Sequence, residues 1–148
     1  MNLQRLQWIK NVRPDVGWAY CEFKESALFK LTWRNDEANA NKPKRDELIL
    51  LKQHGYITHL VKVLNRQAER EDSPSDWNLY RIVGVVWAIG SPNPPPSAKA
   101  DTILGYPVIL MGGNAMHLEG LPQFKEAWDS KGGLPAFQEY VQSKLADT

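Results

Sequence analysis

The feature that most constrains the fold is a pair of apolar runs joined by turn residues within residues 47–64. Leu48-Ile49-Leu50-Leu51 is continuously apolar, and Gln53-His54-Gly55-Tyr56 supplies turn chemistry. The run over residues 57–64 is rich in β-branched residues, which favour strands. This order predicts a β-hairpin. Side chains alternate along a strand, which predicts two faces for the second strand: Ile57, His59, Val61 and Val63 on one, and Thr58, Leu60, Lys62 and Leu64 on the other.

The remaining strand patterns differ in strength. Residues 80–89 are apolar on both faces, as in a central strand or one that lines a barrel, and Gly84 predicts a bend or bulge there. Weaker patterns predict strands at residues 6–12, 17–23, 27–33 and 107–111. Polar, charged or proline-rich composition predicts loops at residues 35–45, 67–76 and 91–98.

Helical spacing is concentrated at the C-terminus. Leu121, Phe124 and Trp128 recur at helical intervals after Pro122, and residues 131–133 end that pattern with two glycines. A second apolar stripe follows, with Pro135 near its start. The chain shows no internal repeat, and its length of 148 residues fits one domain. Residues 1–148 are therefore predicted to be a single α+β domain.

Composition excludes several classes of protein. With Cys21 as its single cysteine, the chain forms neither an intrachain disulfide nor a cysteine-based zinc cluster. No run of 18 apolar residues is present, so no membrane span is expected. The first residues lack the apolar core of a secretion signal. The cytoplasm is the expected compartment.

Catalytic groups are sparse. His59 lies on an apolar strand face, which favours a satisfied core histidine over a metal ligand. His117-Leu118-Glu119 lacks the cysteine pair of a zinc deaminase, and Gly112-Gly113-Asn114 lacks the lysine of a phosphate loop. No catalytic residue, metal or cofactor is predicted. A small enzyme that uses His54 or His59 remains an alternative.

A cluster of aromatic and basic residues favours ligand binding. Trp33 and Arg34 precede a basic loop, and Lys52 and His54 follow it on the hairpin; the loop contributes Lys42, Lys44 and Arg45. Residues 1–66 hold 12 Lys/Arg against 7 Asp/Glu. An indole beside cationic groups can stack a base while the cations hold phosphates. The alternative is a core Trp33 beside a solvated loop.

The hairpin sequence resembles the PUA-like superfamily, and within it EVE-type domains. The resemblance lies in the Pro43–Leu51 stretch and the strand that follows, with Arg45-Asp46 standing where Gly-Asp is usual. Leu6-Gln7-Trp8-Ile9 is similar to the aromatic strand that opens many such domains. The resemblance implies a small, partly open β-barrel with flanking helices, and the helical spacing described above predicts two of these helices at the C-terminus. It also implies binding of DNA or RNA, with a modified base in an aromatic pocket.

Residues and resemblance together predict a pocket. Trp33 or Trp87 would stack the base, Arg34 and Lys52 would meet phosphates, and His54 or Tyr56 would bind the base edge. Lys42, Lys44 and Arg45 would contact further phosphates.

A second interpretation is a protein-interaction module that works beside a nuclease or a restriction-type defence system. Its acidic loop would face a basic partner through Glu69, Glu71, Asp72 and Asp76.

Overall fold

The fold is a curled sheet with helices packed on one side. A computed structural model of the chain describes residues 1–90, 92–110 and 112–148, and these contain seven strands and four α-helices. The strands are β1 Leu6–Asn11, β2 Leu28–Trp33, β3 Leu48–Gln53, β4 Tyr56–Val63, β5 Glu69–Arg70, β6 Leu79–Ala88 and β7 Ala115–His117. The helices are α1 Glu37–Ala40, α2 Ala100–Leu104, α3 Pro122–Trp128 and α4 Gly133–Ala146. No helix in these ranges is both long enough and apolar enough to cross a membrane.

The sheet has the strand order β2-β6-β4-β3-β1-β7, and β5 pairs with β6 beside this path. β1 and β3 run parallel, and the other pairs are antiparallel. The sheet curls into an open half-barrel, and α3 and α4 lie at the C-terminus. The predicted α+β class, the partly open barrel and the two C-terminal helices are confirmed.

Two apolar cores lie on the two faces of the sheet. One combines residues from all six strands of the main path, including Trp33, Val61 and Val83, which places it inside the curl of the half-barrel. The other joins the opposite face to α2, α3 and α4, and it includes Trp87 and Phe137. Burial of this kind is the main favourable term for a chain of this size.

The predicted hairpin is confirmed as β3 and β4, but its predicted faces are wrong in part. Ile57 packs in the same core as Leu60, whereas Val61 and Val63 pack in the other. In the pairing of β3 with β4 the register shifts where Leu51 pairs with His59 and Lys52 with Ile57, which leaves Thr58 as the extra residue on β4. A β-bulge adds one residue to a strand and so exchanges the faces of the residues beyond it.

β6 matches the predicted strand, but the irregularity lies elsewhere than at Gly84. Gly84 pairs regularly with Leu28 and with Lys62, and the register shift falls between Val85 and Trp87.

Two weaker strand predictions are wrong. Residues 17–23 form turns, because Gly17 and Tyr20 have φ angles of +68° and +61° that end extended structure. Residues 107–110 belong to no strand, and residue 111 of the same prediction lies outside the described residues. The predicted loop at residues 35–45 contains α1, whose first turn is capped by the Asp36 carboxylate.

Candidate functional site

The two tryptophans predicted to stack a base lie in the cores. Trp33 is fully buried, and its Nε1 donates a hydrogen bond of 2.8 Å to Asn39 Oδ1. Trp87 is buried against the helices, in the core on the other face of the sheet. The structure therefore does not bring these rings into one pocket, and neither offers an open face to a ligand.

The predicted residues of the hairpin turn lie together on the surface. Trp18 makes edge contacts with His54 and Tyr56, at centroid distances of 4.7 and 6.0 Å. His54 Nε2 lies 2.8 Å from the Gly17 carbonyl oxygen, and Lys52 is half-buried. Lys42, Lys44 and Arg45 are exposed between α1 and β3.

His59 has the environment predicted for a core histidine. It is 2% exposed, and its ring nitrogens bond Thr58 Oγ1 at 2.9 Å and the Tyr20 carbonyl oxygen at 3.0 Å. Burial lowers the pKa of His59, which favours the neutral ring. Both nitrogens are occupied, so His59 offers no vacant group for catalysis in this conformation.

The acidic loop is partly neutralised within the chain. Lys30 Nζ lies 2.9 Å from Glu71 Oε1, and both side chains are about half exposed. Lys30 also lies over the Tyr80 ring, 4.7 Å from its centroid.

A groove with mixed charge lies at one end of the half-barrel. It has a volume of about 610 Å³ and is lined by residues of four segments, among them Arg13, Arg34, Asp36, Trp77, Gly113 and Asn114. We call it the Trp77 groove. A cavity of about 240 Å³ adjoins it, lined among others by Lys10, Arg13, Tyr20, Thr32 and Trp77. We call this the Lys10 cavity.

Trp77 is the aromatic residue that the groove presents. Its ring is half-buried and lies so close to Gly113 that a Cβ there would be 2.7 Å from Cη2 of the indole. The guanidinium carbon of Arg34 lies over the ring, 5.3 Å from its centroid, in cation–π geometry. Glycine thus sets the position of the indole, and arginine supplies positive charge beside it.

The wall of the groove is held by a network around Asn39. Its Oδ1 accepts bonds from Trp33 Nε1 and from the Ala115 amide, the latter at 2.9 Å, and its Nδ2 donates to the Ala115 carbonyl oxygen at 3.0 Å. Asp36 accepts a 3.1 Å bond from Asn114. These bonds join the end of β2 and α1 to the start of β7, and so fix both sides of the groove.

Lys10 is a buried cation at the floor of the cavity. It is 1% exposed, and its Nζ donates a 2.5 Å hydrogen bond to the Gly113 carbonyl oxygen. Nζ also lies 4.8 Å from the centroid of Trp33 and 5.5 Å from that of Trp77. Among the described residues, the ion pairs involve Lys30, Lys62 and Arg70, and none includes Lys10. Burial lowers the pKa of Lys10 to about 7.

Two hydroxyl groups line the cavity with Lys10. Tyr20 Oη and Thr32 Oγ1 lie 3.1 Å apart, and the Thr32 amide donates to Tyr20 Oη at 3.3 Å. The Tyr20 ring stacks on Phe29 with a centroid distance of 4.4 Å. The cavity therefore combines an ammonium group and hydroxyls with the face of an indole.

The sequence contains a signal for Lys10 but only a weak one for Trp77. Lys10 is two residues from Trp8 and so shares its face of β1, which implies burial of the lysine. Trp77 follows the polar loop at residues 67–76, and nothing local distinguishes it from other tryptophans.

The chain matches no protein-family model, no curated protein and no solved structure. What the site does is therefore argued from the geometry of the Trp77 groove and the Lys10 cavity.

Proposed function

We propose that this chain is a non-catalytic nucleic-acid-binding module that holds an unstacked, modified base against Trp77. The observation that carries the proposal is the half-buried Trp77 ring beside Arg34, at the mouth of a cavity with a polar floor. Aromatic rings bind bases of any sequence by stacking, and arginines hold the phosphates beside them. The groove volume of about 610 Å³ lies in the range of pockets that hold small ligands, ~300–1,000 Å³.

The proposal places the base beside Trp77, in place of Trp33 or Trp87. Arg34 keeps its predicted phosphate role, and Arg13 joins it from the other wall of the groove. Lys42, Lys44 and Arg45 are exposed and follow α1, so they can contact phosphates farther along a strand.

The resemblance to PUA-like, EVE-type domains supports the same function. The residues that carry it lead into β3, in the half-barrel that the resemblance implies. Asp46, with φ +74°, takes the left-handed conformation at this point, and Arg45 does not. Arginine in place of the usual glycine is therefore compatible with the backbone. We also propose the cytoplasm as the compartment, because a lone cysteine is typical of proteins kept reduced.

The test is fluorescence-anisotropy binding of short single- and double-stranded DNA and RNA, with and without modified bases, across a salt series. Trp77→Ala should weaken binding by about 5- to 150-fold, because stacking contributes roughly 1–3 kcal/mol per base. Trp18→Ala is the control, since Trp18 lies outside the groove.

The same anisotropy assay tests whether Arg34 contacts phosphates. Arg34→Ala should reduce the slope of log K against log salt by about 0.7–0.9 for each phosphate that the variant no longer neutralises. The exposed Arg66 lies outside the groove, so Arg66→Ala should leave the slope unchanged. Binding weaker than about 10⁻⁴ M at low salt, or equal effects of Trp77→Ala and Trp18→Ala, would refute the proposal.

A further inference from the structure

We infer that the Lys10 cavity binds a planar ring that carries a carboxylate, with the Lys10 ammonium as its counter-ion. The inference rests on the proposed function where the ring is a carboxylated base in nucleic acid. The same chemistry occurs in a free carboxylated pyrimidine. The experiments below separate these two sources.

The burial and the charge of the Lys10 ammonium group favour an anionic ligand. Lys10 is 1% exposed, and none of the ion pairs among the described residues includes it. In its protonated form Lys10 is a buried charge, which is costly unless it is paired and hydrogen-bonded, and this cost lowers its pKa. The faces of Trp33 and Trp77 offset part of this cost but supply no negative charge. A carboxylate from a ligand would complete the pair.

The hydrogen-bond donors that line the cavity also suit a carboxylate. An ammonium group has three donors, and the Gly113 carbonyl oxygen accepts one from Lys10. The hydroxyls of Tyr20 and Thr32 line the same cavity. Because Tyr20 Oη and Thr32 Oγ1 share one hydrogen bond, one hydroxyl proton of the pair is left to donate. A carboxylate has two oxygens and can accept this proton together with the remaining Lys10 donors.

The net charge of the residues that line the cavity matches a monoanion. Its charged lining residues are Lys10, Arg13 and Asp15, which together carry one net positive charge when Lys10 is protonated. This matches a monoanion such as a ring carboxylate and disfavours a phosphate dianion, which Asp15 repels. Trp77 supplies the face on which the ring stacks.

The free ring is tested by calorimetric titration with orotate and with uracil, which differ by one carboxylate. Orotate should bind the wild-type protein about tenfold or more tightly than uracil, because charge-assisted bonds are the strong ones. Lys10→Met keeps the length of the side chain and removes the charge, so it should abolish the preference for orotate. Lys62→Met is the control, since Lys62 is exposed on β4 and lies outside the cavity. Equal affinities for the two ligands, or a preference that Lys10→Met retains, would overturn the inference.

A measurement on the wild-type protein keeps the test independent of any variant. Ligand binding should draw a proton onto Lys10 at pH 8, because an adjacent carboxylate raises the pKa of an ammonium group. Among the described residues, the other charged and titratable groups that line the cavity and the adjoining groove are Arg13, Asp15, Tyr20, Arg34 and Asp36. Orotate titrations at pH 8 in buffers of different ionisation enthalpy should show proton uptake. Binding without uptake would count against Lys10 as the counter-ion.

Binding of oligonucleotides distinguishes a carboxylated base in nucleic acid from a free carboxylated pyrimidine. Single strands with one 5-carboxycytosine, one 5-methylcytosine or only cytosine are compared by anisotropy. Tighter binding of the carboxylated strand, abolished in Lys10→Met, supports the nucleic-acid source. A preference for orotate with no binding of any strand supports the cavity and refutes the proposed function. Binding of all strands through Trp77, with no preference and no effect of Lys10→Met, leaves the proposed function standing and overturns this inference.

Discussion

The Nζ atom of Lys10 lies 5.5 Å from the centroid of the Trp77 ring. Lys10 comes from the buried strand β1, whereas Trp77 comes from the connection that leads into β6. Gly113 links them, because its carbonyl oxygen accepts from Lys10 and its Cα faces the Trp77 ring. The ammonium group of Lys10 and the half-buried indole of Trp77 therefore lie next to each other at Gly113, so substitutions at these positions should change both binding and stability.

Gly113→Ala should weaken nucleic-acid binding with little loss of stability. An added Cβ would lie 2.7 Å from Trp77 Cη2, so the indole must move from the position in which we propose that it stacks a base. Gly120→Ala is the matched control, because nothing lies within 4 Å of its added Cβ. Anisotropy binding and thermal unfolding of both variants provide the check. Binding by Gly113→Ala as tight as by Gly120→Ala would show that the position of Trp77 does not matter.

The free energy of unfolding should rise with pH between about 7 and 10. The pKa of Lys10 is about 7 in the fold against 10.5 for the free side chain, so over this range the unfolded chain binds more protons. Stability increases with pH wherever the unfolded state binds more protons, by up to about 1.4 kcal/mol per pH unit for one group.

The Lys10→Met variant separates the contribution of Lys10 to this pH dependence of stability from that of the other titratable groups. The variant should lose most of the rise of its unfolding free energy with pH. The unfolding free energy of the variant minus that of the wild type should therefore be larger at pH 6 than at pH 9. Urea denaturation at each pH gives both quantities. Identical pH profiles for the two proteins would contradict the burial of an unpaired charge at Lys10.

Arg81→Met should destabilise the fold by several kcal/mol, because each buried acceptor left without a donor costs roughly 1–3 kcal/mol. The Arg81 side chain is fully buried and donates to Asn65 Oδ1 at 2.8 Å, and to the carbonyl oxygens of Ala40, Pro43 and Asn65. Its removal takes this donor from the three carbonyl oxygens, while Asn65 Oδ1 still accepts a bond from the Ile82 amide. Lys30→Met removes an exposed cation from a surface ion pair and should have a much smaller effect on stability. Urea denaturation measures both, and a destabilisation below about 1 kcal/mol for Arg81→Met would contradict this role.

Much of the fold could be predicted because its signals are local. The hairpin of β3 and β4 follows from two apolar runs around a turn, and the C-terminal helices follow from their spacing and from Pro122 and Gly132. The predicted faces of β4 failed at the bulge at Thr58. A bulge depends on how a strand pairs with its partner, which the alternation of residues along one strand does not show.

The site could be predicted only in part. Arg34 was predicted and lines the groove, but Trp33 beside it is fully buried. The side of the sheet that curls inward decides which tryptophan is covered, and this depends on the pairing of all the strands. The position of Trp77 in the groove depends on Gly113, which is 36 residues away in sequence and adjacent in space.

The most direct test of the central claim is an NMR titration of the six indole Nε1–H signals with a short single-stranded oligonucleotide. The Trp77 signal, assigned from the Trp77→Phe spectrum, should shift with oligonucleotide concentration, while that of the buried Trp128 stays in place. Movement of the Trp18 signal with an unchanged Trp77 signal would contradict the account and place the nucleic acid on the hairpin surface.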